Sequence, residues 1–330
     1  MSEDPTPEPA PSRVLARRVP AGALALARTW AELDAAERHR LAAAAAGDRD
    51  PGRLFEVLSG HLALHGRAGA AVSSHTLRSY RQGVAELLEF ANETGASVLR
   101  PPQDWGALFV RTLEGRSLSP ATVRVRLAAG RALYAALRWS GATEADPFAG
   151  VRTASDPTEA WDKCPPYTEE DLAALLAVAG VRERVALLLG AHAGLRISEA
   201  AVLPWGAVDL AGKRLRVRRG KGRKDRDVNL SGSLAASLSE LRASQGPQSD
   251  GQRILNLTVP GLRALLQRLA RRAGVAWKGV HALRHAAGAR LYAETNDLGT
   301  VADHLGHASL DTARRYAKRS SAVRSVVGNW

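Results

Sequence analysis

Apolar residues recur at helical spacing through most of this chain. Leu24, Trp30, Leu33 and Leu41, set among many alanines, predict helix over residues 21–47. Asp48 to Gly52 breaks it. Arg53 to His65 resumes an amphipathic helix with Leu54, Phe55, Leu58 and Leu62 on one side, and Gly66 is placed to stop it. Ser73 or Ser74 caps a longer helix through Leu77, Tyr80, Val84, Leu87, Leu88 and Phe90, ending near Gly95. A short helix, Trp105 to Glu114, follows Pro101-Pro102. Ser119-Pro120 is a cap followed by proline in the first turn, and it opens a helix through Val123, Leu127, Leu133, Tyr134 and Leu137 to Gly141.

The second half differs. Thr153 to Pro166 is polar and proline-rich and reads as an inter-domain linker. Thr168-Glu169-Glu170-Asp171 starts a helix with a polar cap and acids in its first turn. An apolar helix from Val181 to Ala193 stops at Gly194. Only 213–230 reads as strand: Leu215 and Val217 alternate with Arg214, Arg216 and Arg218, and Arg226 to Leu230 pairs back across Gly220-Lys221-Gly222 as a hairpin. Residues 258–327 read as helices. The expected organisation is a disordered tail over 1–20, an extra helical segment over 21–52, and a helical domain over 53–150. A linker over 151–166 and a second domain over 167–330 complete it, in a mainly α fold with one small β-hairpin.

Charge adds a partner class. The 330 residues carry 46 Lys and Arg against 33 Asp and Glu, a formal charge of +13. Such an excess suggests a polyanion, with nucleic acid as first candidate. The excess of arginine over lysine fits GC-rich coding, which does not explain the excess of bases over acids. The one cysteine, Cys164, excludes an internal disulfide and a cysteine-rich metal site. The acidic, proline-rich start is unlike a secretory signal, and no apolar run approaches the ~20 residues needed to cross a bilayer. A soluble cytoplasmic protein is expected.

Taken singly, the candidate chemical residues are ordinary. The segment 212–227 holds nine Lys or Arg against two Asp, which suits a solvated strand face or a phosphate backbone. Arg196 and Glu199 share a helix face, which also describes a surface ion pair of little energetic weight. His281 and Arg284 share a face in the same way. His307 follows a glycine as a helix-terminal histidine would, and Tyr316 has the setting of a core aromatic.

The ordered set says more. Arg196 in Gly-Leu-Arg-Ile-Ser-Glu, Lys221 in Gly-Lys-Gly, and His281 and Arg284 in His-Ala-Leu-Arg-His come first. His307 in Leu-Gly-His and Tyr316 nine residues later complete it. Together they resemble the signature of the tyrosine recombinases, the phage integrase family, over roughly residues 53–330. The resemblance implies a helical core-binding domain and an α/β catalytic domain clamped around a double-stranded recombination site. It implies strand exchange through a 3′-phosphotyrosine, with no cofactor and no metal. Tyr316 would be the nucleophile, and a tyrosine phenol, with a pKa of ~10, needs help to ionise at neutral pH. Arg196, Arg284 and His307 would hold the phosphate oxygens. His281 would be the base and Lys221 the acid for the 5′-oxygen, with Glu199 supporting the arginines. Arg214, Arg216, Arg218, Arg219, Arg223 and Lys224 would meet the DNA backbone.

Size and layout resemble the Xer-type subgroup, which resolves chromosome dimers. A phage or mobile-element integrase is the alternative, and a type IB topoisomerase or a non-catalytic DNA-binding protein stands further off. By resemblance the tail, Ala317 to Trp330, packs either on a neighbouring subunit of a homo- or hetero-tetramer or on its own domain. Residues 1–52 are a tail with an extra helix or a degenerate arm-binding segment.

Overall fold

The computed structural model describes residues 22–158, 163–218 and 225–306, together with Ala313 and Tyr316. Among these are thirteen α-helices and one three-stranded sheet, so the mainly α fold with a small sheet is observed. The chain divides into two units, Met1–Pro157 and Thr158–Trp330.

The first unit is helical: α1 (Ala23–Glu32), α2 (Ala35–Gly47), α3 (Pro51–His65), α4 (Ser74–Thr94), α5 (Trp105–Gly115) and α6 (Pro120–Trp139). Polar caps set its boundaries. Ser73 and Ser119 accept from the backbone N–H of Thr76 and Thr122, and Asp50 from those of Gly52 and Arg53. The stretch 21–47, expected to be helical, is so over its described residues, as two helices, α1 and α2. Asp34, whose carboxylate accepts from the Glu37 N–H, starts a new helix where the alanine-rich sequence hides the break. Leu54, Leu58, Leu87, Phe109, Leu133 and Phe148 are fully buried at the centre. Segment 21–52 shares this core: Trp30, Ala42 and Ala45 are buried in it. Trp30 lies on Gly60 of α3, where any Cβ would meet its indole at 2.4 Å.

The second unit is built around α8 (Val181–Ala191), whose residues Val185 to Ala191 are all buried. α7 (Glu169–Ala177) precedes it with the expected capping box between Thr168 and Asp171. Helices α10 (Gly232–Gln245), α11 (Val259–Arg272) and α12 (Val280–Thr295) pack against α8. Gly190 lets α8 and α12 approach closely, because a Cβ there would stand 2.9 Å from that of Leu283. After α9 (Ile197–Val202), strands β1 (Val208–Asp209), β2 (Arg214–Val217) and β3 (Arg226–Asn229) form an antiparallel sheet in that order. Leu215 pairs with Val228 facing the core, and Arg214 and Arg216 face solvent. α13 (Leu298–Leu305) closes the described fold.

Candidate active site

Gly194 takes φ +64°, a conformation that glycine adopts freely, and turns the chain sharply after α8. The turn makes Arg196 the N-cap of α9 and places Glu199 at its third position. Glu199 then reaches back: its Oε2 accepts from the Arg196 N–H at 2.9 Å and its Oε1 from Arg196 Nη1 at 2.8 Å. This is no surface ion pair. The Glu199 side chain is 9% exposed, and the same carboxylate takes a second guanidinium, that of Arg226, at 3.1 and 2.8 Å. Burial pushes the Glu199 carboxyl up, but the Arg226 and Arg196 donors outweigh it and hold the pKa at about 2.

The C-terminal end of α13 gathers the arginines. A helix end leaves carbonyls without intrahelical donors and carries about half a negative charge. Three successive carbonyls are used here. His304 O accepts from Arg226 Nε at 3.1 Å, Leu305 O from Arg284 Nη2, and Gly306 O from Arg196 Nη2 at 3.4 Å. Arg284 Nη1 also donates to Gly194 O. Three guanidinium groups thus face one carboxylate and one helix terminus, an arrangement still short of negative charge. Burial, followed by the charges of Arg196 and Arg226, lowers the Arg284 pKa to about 9, with Glu199 and Tyr316 acting the other way. Arg284 therefore remains charged at neutral pH.

Helix α12 organises the rest. At 3.6 residues per turn, His281, Arg284, His285 and Gly288 fall within an arc of about 100°. His281 is exposed near the helix start, whereas Arg284, His285 and Gly288 are buried. Tyr316 lies against this stripe, 4% exposed, in a small core with Ala287, Val301, Ala302, Leu305 and Ala313. The ring of His285 lies 4.6 Å from that of His281 and 6.3 Å, edge to face, from that of Tyr316. His285 Nδ1 is 3.0 Å from the Cys164 carbonyl oxygen. A carbonyl only accepts, so Nδ1 carries the proton.

Arg196, Glu199, Arg284 and Tyr316 are therefore gathered in one place, with His281 two ring contacts from Tyr316. Lys221, Arg219, Arg223, Lys224, His307 and the tail Ala317 to Trp330 lie outside the described residues. Arg214, Arg216 and Arg218 are exposed along β2 and its end. Arg216 and Arg218 line a cavity of about 690 Å³ that Glu199 also lines. The sequence passed over two members of the site, Arg226 and His285. A basic side chain on the buried side of a strand was the available signal for the first.

The catalytic half, residues 167–322, matches the phage integrase family, and residues 68–141 match the N-terminal SAM-like domain of phage integrases. This chain belongs to the phage integrase family, whose members are the tyrosine recombinases. It is 31% identical over 259 residues to tyrosine recombinase XerC of Xylella fastidiosa, covering 74% of this chain and 86% of the relative. It is 32% identical over 275 residues to XerC of Pseudomonas aeruginosa, covering 76% and 86%. In fold it is similar to the XerH site-specific recombinase bound to palindromic difH substrate, with a TM-score of 0.64, 20% identity, and 91% and 93% of the two chains covered. A lambda integrase dimer bound to a core site is also similar, with a TM-score of 0.63, 16% identity, and 84% and 80% covered.

Proposed function

We propose that this chain is a Xer-like site-specific recombinase that cuts and rejoins DNA strands through a 3′-phosphotyrosine. One observation carries the reading: three arginines converge on the α13 terminus beside a tyrosine, with one carboxylate among them. Such a site lacks an anion, and a phosphodiester supplies one. Fixed donors of this kind act on the charge that develops at a pentacoordinate phosphorus. The Tyr316 oxygen forms a bond to phosphorus, and the bond from phosphorus to the 5′-oxygen breaks. His281 takes the phenolic proton and Lys221 gives one to the departing 5′-oxygen. Rejoining runs the same step backwards with a 5′-hydroxyl from another strand. The ester keeps the bond energy, so no nucleotide is consumed.

Arg284 is 2% exposed and Tyr316 4% exposed. Cleavage therefore includes a movement that opens this seat to the phosphate. Arg214, Arg216, Arg218, Arg219, Arg223 and Lys224 would meet the backbone of a duplex recombination site. Assembly into a tetramer through 317–330 completes the proposal, with the cytoplasm as its place of action. Among the described residues no helix is long and apolar enough to cross a membrane. Similarity to XerC over most of that protein's length supports chromosome dimer resolution over integration of a mobile element. The test is to offer the protein a randomised pool of nicked duplexes, which cannot religate, and to sequence the DNA held covalently. One palindrome-like site is expected; no retained DNA refutes the recombinase reading.

A further inference from the structure

Arg226 stands apart from the other basic residues of its hairpin. Arg214 and Arg216 point to solvent from β2. Arg226, opposite Val217 at the start of β3, points inward, and its side chain is 9% exposed. All three of its nitrogens are engaged within the protein: Nη1 and Nη2 on the two oxygens of Glu199, and Nε on His304 O. Its stem passes under Gly306, where a Cβ would stand 2.9 Å from Arg226 Cδ. A guanidinium so occupied is not placed to bind phosphate itself.

Its partners explain what it does. Glu199 is the group that holds Arg196, through one side-chain and one backbone N–H. Two of the four donors to that carboxylate come from Arg226. A bidentate guanidinium fixes the carboxylate plane as a point charge cannot. With the plane fixed, Glu199 spends a single side-chain contact on Arg196. With Arg226 gone, only the bonds from Arg196 itself still hold the Glu199 carboxylate, which is then freer to turn and take the Arg196 guanidinium in both forks. The third contact, to His304 O, ties this shell to the α13 terminus that also orients Arg284.

We propose that Arg226 is a positioning residue for strand cleavage, acting through Glu199 on Arg196 and through the α13 terminus on the arginine cluster. The inference rests on the recombinase reading above.

The test compares the full-length wild type with Arg226→Met and Arg226→Lys, using a nicked duplex that the wild type itself selected from a randomised pool. Thermal unfolding, duplex affinity and the single-turnover rate of covalent adduct formation are measured for each. For Arg226→Met the adduct rate should fall about 10²-fold, the scale on which misplaced catalytic groups are felt. Its affinity should stay within about threefold, because no phosphate contact is lost. Arg226→Lys should lose about tenfold in rate with the same unchanged affinity, since an ammonium does not hold both carboxylate oxygens in one plane. If Arg226→Met does not fold, the split between rate and affinity in Arg226→Lys decides. A folded variant that cleaves at the wild-type rate, or one in which rate and affinity fall by the same factor, overturns the inference. A wild type that forms no adduct removes the recombinase reading and this inference with it. A wild-type adduct beside an indifferent Arg226 variant removes this inference alone.

Discussion

Gly288 carries the ring of Tyr316: a Cβ at that position would stand 2.5 Å from the tyrosine Cζ and 2.7 Å from its Oη. The glycine is one turn beyond Arg284 on α12, so the phenol is seated beside the arginine that would hold the phosphate.

Gly288→Ala therefore displaces Tyr316 while leaving α12 intact, since alanine favours helix over glycine by up to ~1 kcal/mol. We expect covalent adduct formation to fall by about tenfold or more with duplex affinity retained. Single-turnover cleavage of a nicked duplex measures it, and an unchanged rate would mean that this seat plays no part in the reaction.

Glu199 gives a pH signature. Its folded-state pKa of about 2 lies below the ordinary carboxylate value of 4.5. Its contribution to stability is therefore fully present above about pH 4.5 and is lost as pH falls towards 2. A displacement of this size corresponds to about 3 kcal/mol. Glu199→Gln should lower the thermal midpoint at pH 7, and the deficit should shrink as pH falls through that window.

His61 lies in α3 of the first unit. Burial, and then the charges of His65 and Arg138, push its pKa below 6.5. Its ring packs 5.6 Å from that of Trp139, and its Nδ1 is buried with no protein hydrogen-bond partner. The unfolded chain takes up this proton first, so stability should decline as pH falls below about 6.5. Melts of wild type and His61→Phe between pH 7.5 and 5, a range of about 2.5 units around the ordinary histidine value, measure this. The variant should show the shallower slope.

The exposed arginines of β2 predict a salt response. Affinity for duplex should fall steeply with salt, and the log–log slope should lessen by about 0.9 for each phosphate contact removed by Arg216→Ala or Arg218→Ala. A slope identical to wild type would mark these side chains as merely solvated.

Much of the frame was legible because local signals set it. Ser73 and Ser119 mark helix starts through their own hydroxyls, and the alternation of Leu215 and Val217 with arginines gives β2 its two faces. β1 was not legible, since two residues carry no periodicity. The alanine-rich 21–47 concealed the cap at Asp34. The motif residues Arg196, Arg284 and Tyr316 were visible through their order. Their neighbours were not: Arg226 lies in a run of nine basic residues, and only the pairing of β3 with β2 and the fold of α13 turn it inward onto Glu199. His285 likewise gains meaning only when α12 places it between His281 and Tyr316. The contacts of Arg226 with Glu199 and His304, and of His285 with Tyr316, join segments tens of residues apart, so their partners are not encoded by any local pattern.

The central claim is that Tyr316 attacks DNA. The most direct measurement is denaturing electrophoresis of wild type and Tyr316→Phe after incubation with a nicked duplex labelled on the strand to be cut, followed by peptide mapping of any adduct. The account predicts a covalent band for the wild type that maps to the Tyr316 peptide. It predicts no band for Tyr316→Phe, with duplex affinity unchanged. A band that persists in Tyr316→Phe, or that maps elsewhere, would contradict it.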